Sequence, residues 1–446
     1  MKIGFFKITL INLIIGILLY IFLFIIYPEN SNYFECNKLF EDNLFNSQIT
    51  YSIPVSCDQE LYLIGVNDFQ SIYKFDYNYQ SRPLYILIVK IFYDILNTLL
   101  SNILMVKFLS FSLTHLLIIS FSSKIFFDSL DKLKILIDKK VKILIIFFVF
   151  LSPIIKWGFF DSSHQTLTLL QFVISFYFLV CEIEDFKKIY LFSFILGFLA
   201  LSNLTFVLPL IFLVFNKINT EEKVFDNFFK LILTFFLFAI PILSWNLFII
   251  SQGYVPYNAA TTYWNQFIWL KDYILVRYEN INFNPQNSEF FCMSVPLFLK
   301  CYLVDFLNSV FYLLNLAALL LVTYKYIDQV KKELYTSLFK KLLTIFIISF
   351  IFWSFIGWYP PLRFNLYSIG YFLTFCFCLQ FIFINNNKIK TLSAFSYILY
   401  FLFLNHWNFD EVIKFNTGLL ISILLMLYIP LDYVYKNTLR GSNNSK

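Results

Sequence analysis

The chain has 446 residues, 59% of them hydrophobic and only 14% charged, with a mean hydropathy of +0.71. A soluble domain of that length carries about 25% charged residues, so the composition excludes a soluble enzyme. It points to an all-α polytopic membrane protein, and the net charge of +6 gives no reason to expect a nucleic-acid partner.

In chain order, Lys2 and Lys7 precede a first apolar run over 8–27. A bilayer crossing needs about 20 such residues. No small-residue cleavage site follows, so the run reads as a retained span or uncleaved anchor with its N-terminus in the cytoplasm. Residues 28–84 then carry three basic residues against eight acids, a net of −5, as expected of a loop left outside. The next basic cluster, Lys124 to Lys142, has six lysines against three aspartates, a net of +3, and is expected in the cytoplasm.

Only one crossing then fits between them, at about 102–122. Residues 84–100 are expected to lie flat at the outer interface, with Lys90 and Asp94 at i and i+4 on one polar face. The alternative is that both segments cross. Further spans are expected at about 143–159, 164–181, 189–202, 204–215, 228–250, 302–323, 342–358, 364–384, 391–405 and 417–434. The pair within 189–215 is short enough to be a single span instead. The pattern gives about 11–13 transmembrane helices in one integral membrane domain over 1–446. A first extracytoplasmic loop with juxtamembrane helices covers 28–101, and a second covers 251–300. With this layout every loop obeys the rule that lysine and arginine stay inside.

The polar residues sort by side. Asp58, Glu60, Arg82, Lys107, Asp161, His164 and Arg363 fall on the outer side, while the inner side holds mostly lysine runs. Any active site is therefore expected where the first loop meets the outer span ends. Asp58, Tyr62 and Gly65 read as D-x-x-x-Y-x-x-G, which places Asp58 and Tyr62, at i and i+4, on one helix face. A carboxylate at a lipid-facing rim suits general-base work on a sugar hydroxyl; the plainer reading is a solvated acid or helix cap. Glu60 points elsewhere on such a helix. Pro83 suits the first turn of a new helix, which puts Arg82 at its N-terminus, near where an anion would sit. Arg363, after two prolines, is either a phosphate clamp or an interfacial charge. Lys107 can snorkel or reach a lipid phosphate. Asp161 and His164 share an outer hairpin, where His164 can orient a carboxylate or phosphate, although a lone histidine beside an aspartate at a helix start is more often structural. His115 and His406 have no partner evident from sequence.

Cys36 and Cys57 share the first loop, and Cys292 and Cys301 the second; each pair is free to form a disulfide in an oxidising compartment. No P-loop, dinucleotide fingerprint or zinc helix is present.

Several stretches resemble the GT-C superfamily of membrane glycosyltransferases, which includes protein O-mannosyltransferases and the aminoarabinose transferases of lipid A. They are CDQELYLIGVNDF, SRPLYILIVKIFYDIL, VKFLSFSLTHLLIISF, LSPIIKWGFFDSSHQTLTLLQFVISFYFL and LGFLALSNLTFVLPLIFLVF. Their order is that of the family's first loop, juxtamembrane helix and following spans. Two departures stand out: the first loop lacks an adjacent Asp-Glu pair, and Asn203 stands where many members have lysine or arginine.

The resemblance implies an inverting hexosyl- or pentosyltransferase with a polyprenyl-phosphate sugar as donor and a glycan, lipid or protein acceptor. It implies Asp58 as catalytic base, with Arg82, Arg363 or Lys107 facing the leaving lipid phosphate and Glu60, Tyr62, Asp161 and His164 as further substrate-binding candidates. Some relatives use a divalent metal; with no second acid firmly placed here, none is expected and no other cofactor is implied. The expected location is the plasma (inner) membrane, multi-pass, with membrane lipid around it and the site facing the periplasm or cell exterior. The competing readings are an O-antigen-type polymerase or ligase, and a lipid-linked sugar transporter. Polymerases and ligases usually keep their main outer loop late in the chain, and transporters tend to show repeats and mid-membrane charges.

Overall fold

A computed structural model describes residues 4–26, 59–74, 78–152, 164–181, 185–220, 228–257, 326–356 and 370–403, with positions 155, 159, 183 and 324. Asp58, Asp161, Arg363, the four loop cysteines and the expected spans at 302–323 and 417–434 lie outside the described residues.

Within them the chain is helical nearly throughout, with one isolated bridge between Ile327 and Ile384. The helices are α1 (Phe5–Ile26), α2 (Gln59–Asn67), α3 (Pro83–Leu99), α4 (Ile103–Lys132), α5 (Lys139–Leu151) and α6 (Leu167–Val180). They continue with α7 (Phe186–Ala200), α8 (Val207–Thr220), α9 (Phe228–Ser251), α10 (Gln329–Ile356), α11 (Tyr371–Phe383) and α12 (Asn387–Phe403). Three stretches are long and apolar enough to cross a bilayer alone: Met105–Lys132, Phe228–Ser251 and Gln329–Phe352. On α9, Phe229, Phe236, Leu243 and Leu247 are exposed. An apolar face along a helix about 36 Å long is what a bilayer covers.

Two helices outrun their expected spans, for local reasons. α4 continues past residue 122 to Lys132 because Lys124 and Asp128 pair at i and i+4 on its surface. It stops at an αL residue, Lys134 (φ 57°), where the amide of Ile135 returns to the carbonyl of Leu130 (3.1 Å). α10 starts at Gln329 rather than near 342, because Tyr335, Leu338, Leu342 and Ile345 form one buried stripe at helical spacing. Residues 189–215 form two helices, α7 and α8, separated by the turn 201–206.

Contacts divide the chain into two compact units. The first comprises Met1–Leu136 and Ile154–Trp264. Its core joins Tyr62, Val66, Ile72, Tyr85, Ile86 and Val89 to Phe111, Leu167, Leu196, Phe206 and Phe238. Helix ends group into two sets. At one, Lys132 lies over the ring of Tyr177 (4.4 Å) and Lys230 over Phe186 (4.6 Å). At the other meet α2, the start of α3, the 3-10 turn His164–Thr166, the 201–206 turn and the end of α9.

Particular contacts tie that second end together. The amide of Leu84 donates to the carbonyl of Leu201 (3.1 Å). The indole of Trp245 donates to the carbonyl of Gln80 (2.8 Å). The buried Gln80 amide side chain donates to the carbonyls of Tyr73 and Val255 (3.3 Å each) and accepts from the amide of Tyr257.

The second unit comprises Ile137–Pro153 and Asn265–Lys446. Its core stacks Tyr397 on Phe377 (4.3 Å), with Phe148 edge-on to both (5.1 and 5.0 Å). The Tyr397 hydroxyl reaches the carbonyl of Phe148 (3.2 Å) and the hydroxyl of Thr374 (3.0 Å). The amide of Asn385 donates to the carbonyl of Tyr326, bringing the end of α11 to the start of α10. Lys390 feels Asp138 and Lys331 there; burial lowers its pKa from the ordinary lysine value, Asp138 opposing and Lys331 adding to the shift. The lysine-bearing starts of α5, α10 and α12 thus share one end of this unit.

Candidate functional site

Pro83 opens α3, so the chain enters that helix through Arg82, whose backbone (φ −128°, ψ 42°) is the N-cap. Arg82 is only 8% exposed. A buried guanidinium is costly without partners, and Arg82 donates through Nη1 to the hydroxyl of Tyr62, which is 1% exposed. The Arg82 guanidinium also lies 5.9 Å from the centre of the Tyr62 ring. The Tyr62 hydroxyl is bonded in turn to Nδ1 of His164 (2.8 Å), a half-buried residue opening the turn before α6. Three residues singled out separately in the sequence are therefore one hydrogen-bonded group, drawn from α2, the start of α3 and the start of α6.

A second tier lies beneath it. His115, fully buried on α4, bonds through Nε2 to the hydroxyl of Tyr85 (3.2 Å) and through Nδ1 to the hydroxyl of Thr166 (2.8 Å). Tyr85 meets Tyr62 edge-on (5.5 Å) and His164 edge-on (6.4 Å), so the two tiers touch. Both His115 nitrogens are engaged by hydroxyls, which suits a neutral imidazole with one nitrogen donating and one accepting. Replacing His115 with leucine strips two buried hydroxyls of that partner, and each orphaned group costs about 1–3 kcal/mol. We expect His115→Leu to lower the apparent melting temperature of the detergent-solubilised protein, and His115→Gln, which keeps a donor and an acceptor, to lower it less.

The other candidates divide. Glu60 lies on α2. Lys107 sits in the second turn of α4, half-buried, and makes none of the cluster's hydrogen bonds. Asn203 has a local job: its side chain caps the turn 204–206, accepting from the amide (3.1 Å) and hydroxyl (2.6 Å) of Thr205. Gln171 donates to the same hydroxyl (2.7 Å), and its own buried Oε1 has no protein partner. Among the described residues no group of three metal-ligating side chains occurs.

Sequence reasoning missed Tyr85, Thr166 and the partners of His115. The available signal was that a histidine inside an apolar helix needs company; its partners lie 30 and 51 residues away.

Chemically, the cluster sets a fixed cation at a helix N-terminus beside a phenol and an imidazole, with the imidazole nearest the surface. Such a set can hold an anion or stabilise charge as it develops. Compared with protein-family models, curated proteins and solved structures, the chain matches none.

Proposed function

We propose that this chain is a multi-pass plasma-membrane glycosyltransferase of the GT-C kind. In this reading it moves a sugar from a polyprenyl-phosphate donor to a glycan, lipid or protein acceptor at the outer face. The observation that carries the reading is the buried Arg82, held with Tyr62 and His164 at the helix ends that the charge pattern assigns to the outside. Three apolar helices of spanning length support the membrane setting.

Asp58 directly precedes α2, the helix that supplies Tyr62. In the proposed step its carboxylate takes the proton of the acceptor hydroxyl. The acceptor oxygen bonds to the anomeric carbon from the side opposite the phosphate. The carbon–oxygen bond to the lipid phosphate breaks, and the electron pair leaves with that phosphate. Arg82 offsets the charge that grows there, which is why a pre-placed cation helps the transition state more than the ground state.

The test compares polyprenyl-phosphate sugars and surface glycans in cells with the gene, without it, and carrying Asp58→Asn. We expect one lipid-linked monosaccharide to accumulate and one glycan to lose that sugar, in the deletion and the variant alike. If single repeat units replace a long polymer instead, the chain is a polymerase. If Asp58→Asn restores the glycan fully, Asp58 is not the base.

A further inference from the structure

The first three turns of α10 are polar on one face. Lys332, Thr336 and Lys340 follow one another at intervals of four, so they run up a single side of the helix. The buried stripe Tyr335, Leu338, Leu342 and Ile345 takes the opposite side, which leaves this face outward. Tyr324 stands across from it, its ring 5.3 Å from the ammonium of Lys332. Together with Glu333 and Ser337 these residues line an open groove of about 410 Å³. Two ammonium groups face one carboxylate there, and among the described residues neither lysine is ion-paired.

Below Lys340 the character of the helix changes. Thr344 is the only polar residue from Leu342 to Ile348. The outward face continues as Ile347 and Ile351, 47% and 48% exposed. Lys340 and Ile347 are seven residues apart, two turns down the same side. Thr336 lies about 6 Å above Lys340 along the axis, the depth of a headgroup layer over a hydrocarbon core about 30 Å thick. A tyrosine at that level is also ordinary for an interface.

We propose that this face of α10 binds an anionic diacyl phospholipid. Lys332, Lys340 and the Ser337 hydroxyl hold the phosphate, and the acyl chains lie along Ile347 and Ile351. Free phosphate shares the headgroup chemistry but gains nothing from the isoleucines, and the continuity of cation and apolar stripe favours the lipid. The inference is independent of the sugar-transfer reading, since it concerns the second unit and no residue of the Arg82 cluster.

The full chain, purified in detergent, is titrated with phosphatidylglycerol and with phosphatidylcholine, and bound lipid is counted by native mass spectrometry. Wild type is expected to retain phosphatidylglycerol preferentially. Lys332→Gln/Lys340→Gln should weaken that preference about thirtyfold, from roughly a fivefold step per lysine near an anionic surface. Ile347→Ser/Ile351→Ser should weaken retention of both lipids. Lys139→Gln/Lys140→Gln, at the same end of the unit, is the control. If it matters as much as the Lys332/Lys340 pair, a diffuse basic field binds the lipid and the proposal falls. If inorganic phosphate displaces phosphatidylglycerol and the isoleucine variant is neutral, the site takes free phosphate and the lipid assignment is overturned. If wild type retains both lipids equally, there is no such site.

Discussion

For the proposed sugar transfer, Arg82→Met is expected to reduce the rate about 100- to 1,000-fold, the usual cost of removing one donor to a charge that develops in the transition state. The residue is 8% exposed and bonded to Tyr62, so the same change must also disturb the fold. The two effects separate by measurement. A merely structural arginine, once removed, lowers the melting temperature and the yield of folded protein, but the rate per folded molecule stays near wild type. An arginine facing the leaving phosphate leaves folded protein that binds the donor with a modestly altered KM and a greatly reduced kcat. Arg82→Lys sharpens the distinction. It keeps the charge but loses the planar fork that reaches Tyr62 and a phosphate together, so partial recovery of kcat is expected. Folded Arg82→Met protein with full turnover would remove Arg82 from the mechanism.

The charge pattern carried much of the architecture. The expected loop charges group helix ends that also meet within each unit: Arg82, His164, the 201–206 turn and the end of α9 come together, as do the lysine-bearing starts of α5, α10 and α12. The rule can group helix ends because it assigns lysine-rich loops to one side of a bilayer whatever the packing between the helices. Helix limits were less legible. Hydropathy marks where a helix is apolar, whereas backbone hydrogen bonding runs on wherever an ion pair such as Lys124–Asp128, or a buried stripe such as Tyr335–Leu338, supports it.

The candidate site was legible as separate residues and illegible as a group. Rim position and the Arg-Pro step marked Arg82, and the i to i+4 spacing marked Tyr62, but their union with His164 spans 102 positions. Tyr85 looked like one more aromatic in a chain with 30 tyrosines. Its role appears only when α3 packs on α4 and the hydroxyl finds His115. Asn203 shows the reverse case, a residue marked by comparison with a family pattern that spends its side chain on capping its own turn.

Gly197→Ala should be among the most damaging single changes outside the cluster. α7 and α9 approach so closely that a Cβ at Gly197 would overlap the carbonyl oxygen of Phe238 and stand 3.0 Å from its carbon. Those atoms belong to backbone, so no rotamer change relieves the clash and one helix has to move. The contact is built around small groups. Four residues earlier Ser193 donates to the carbonyl of Thr234 (2.8 Å), and three residues later Ala200 is buried. Between helices in lipid there is little hydrophobic drive, so close packing and such hydrogen bonds supply the attraction. Overpacking costs about 1–3 kcal/mol. For a unit of this size each kcal/mol lowers the apparent melting temperature by about 2–4 °C, so the expected fall is roughly 2–12 °C. Gly4→Ala, where nothing lies within 4 Å of the added carbon, should leave it unchanged. Gly197→Val should prevent accumulation of folded protein. The damage should also reach the site, because the far end of α9 supplies Trp245, which holds the carbonyl of Gln80 two residues before Arg82. Transfer by the surviving Gly197→Ala protein is therefore expected to fall together with its stability. If the melting temperature holds, α7 and α9 are not in the contact described, and the route from that packing to Arg82 fails with it.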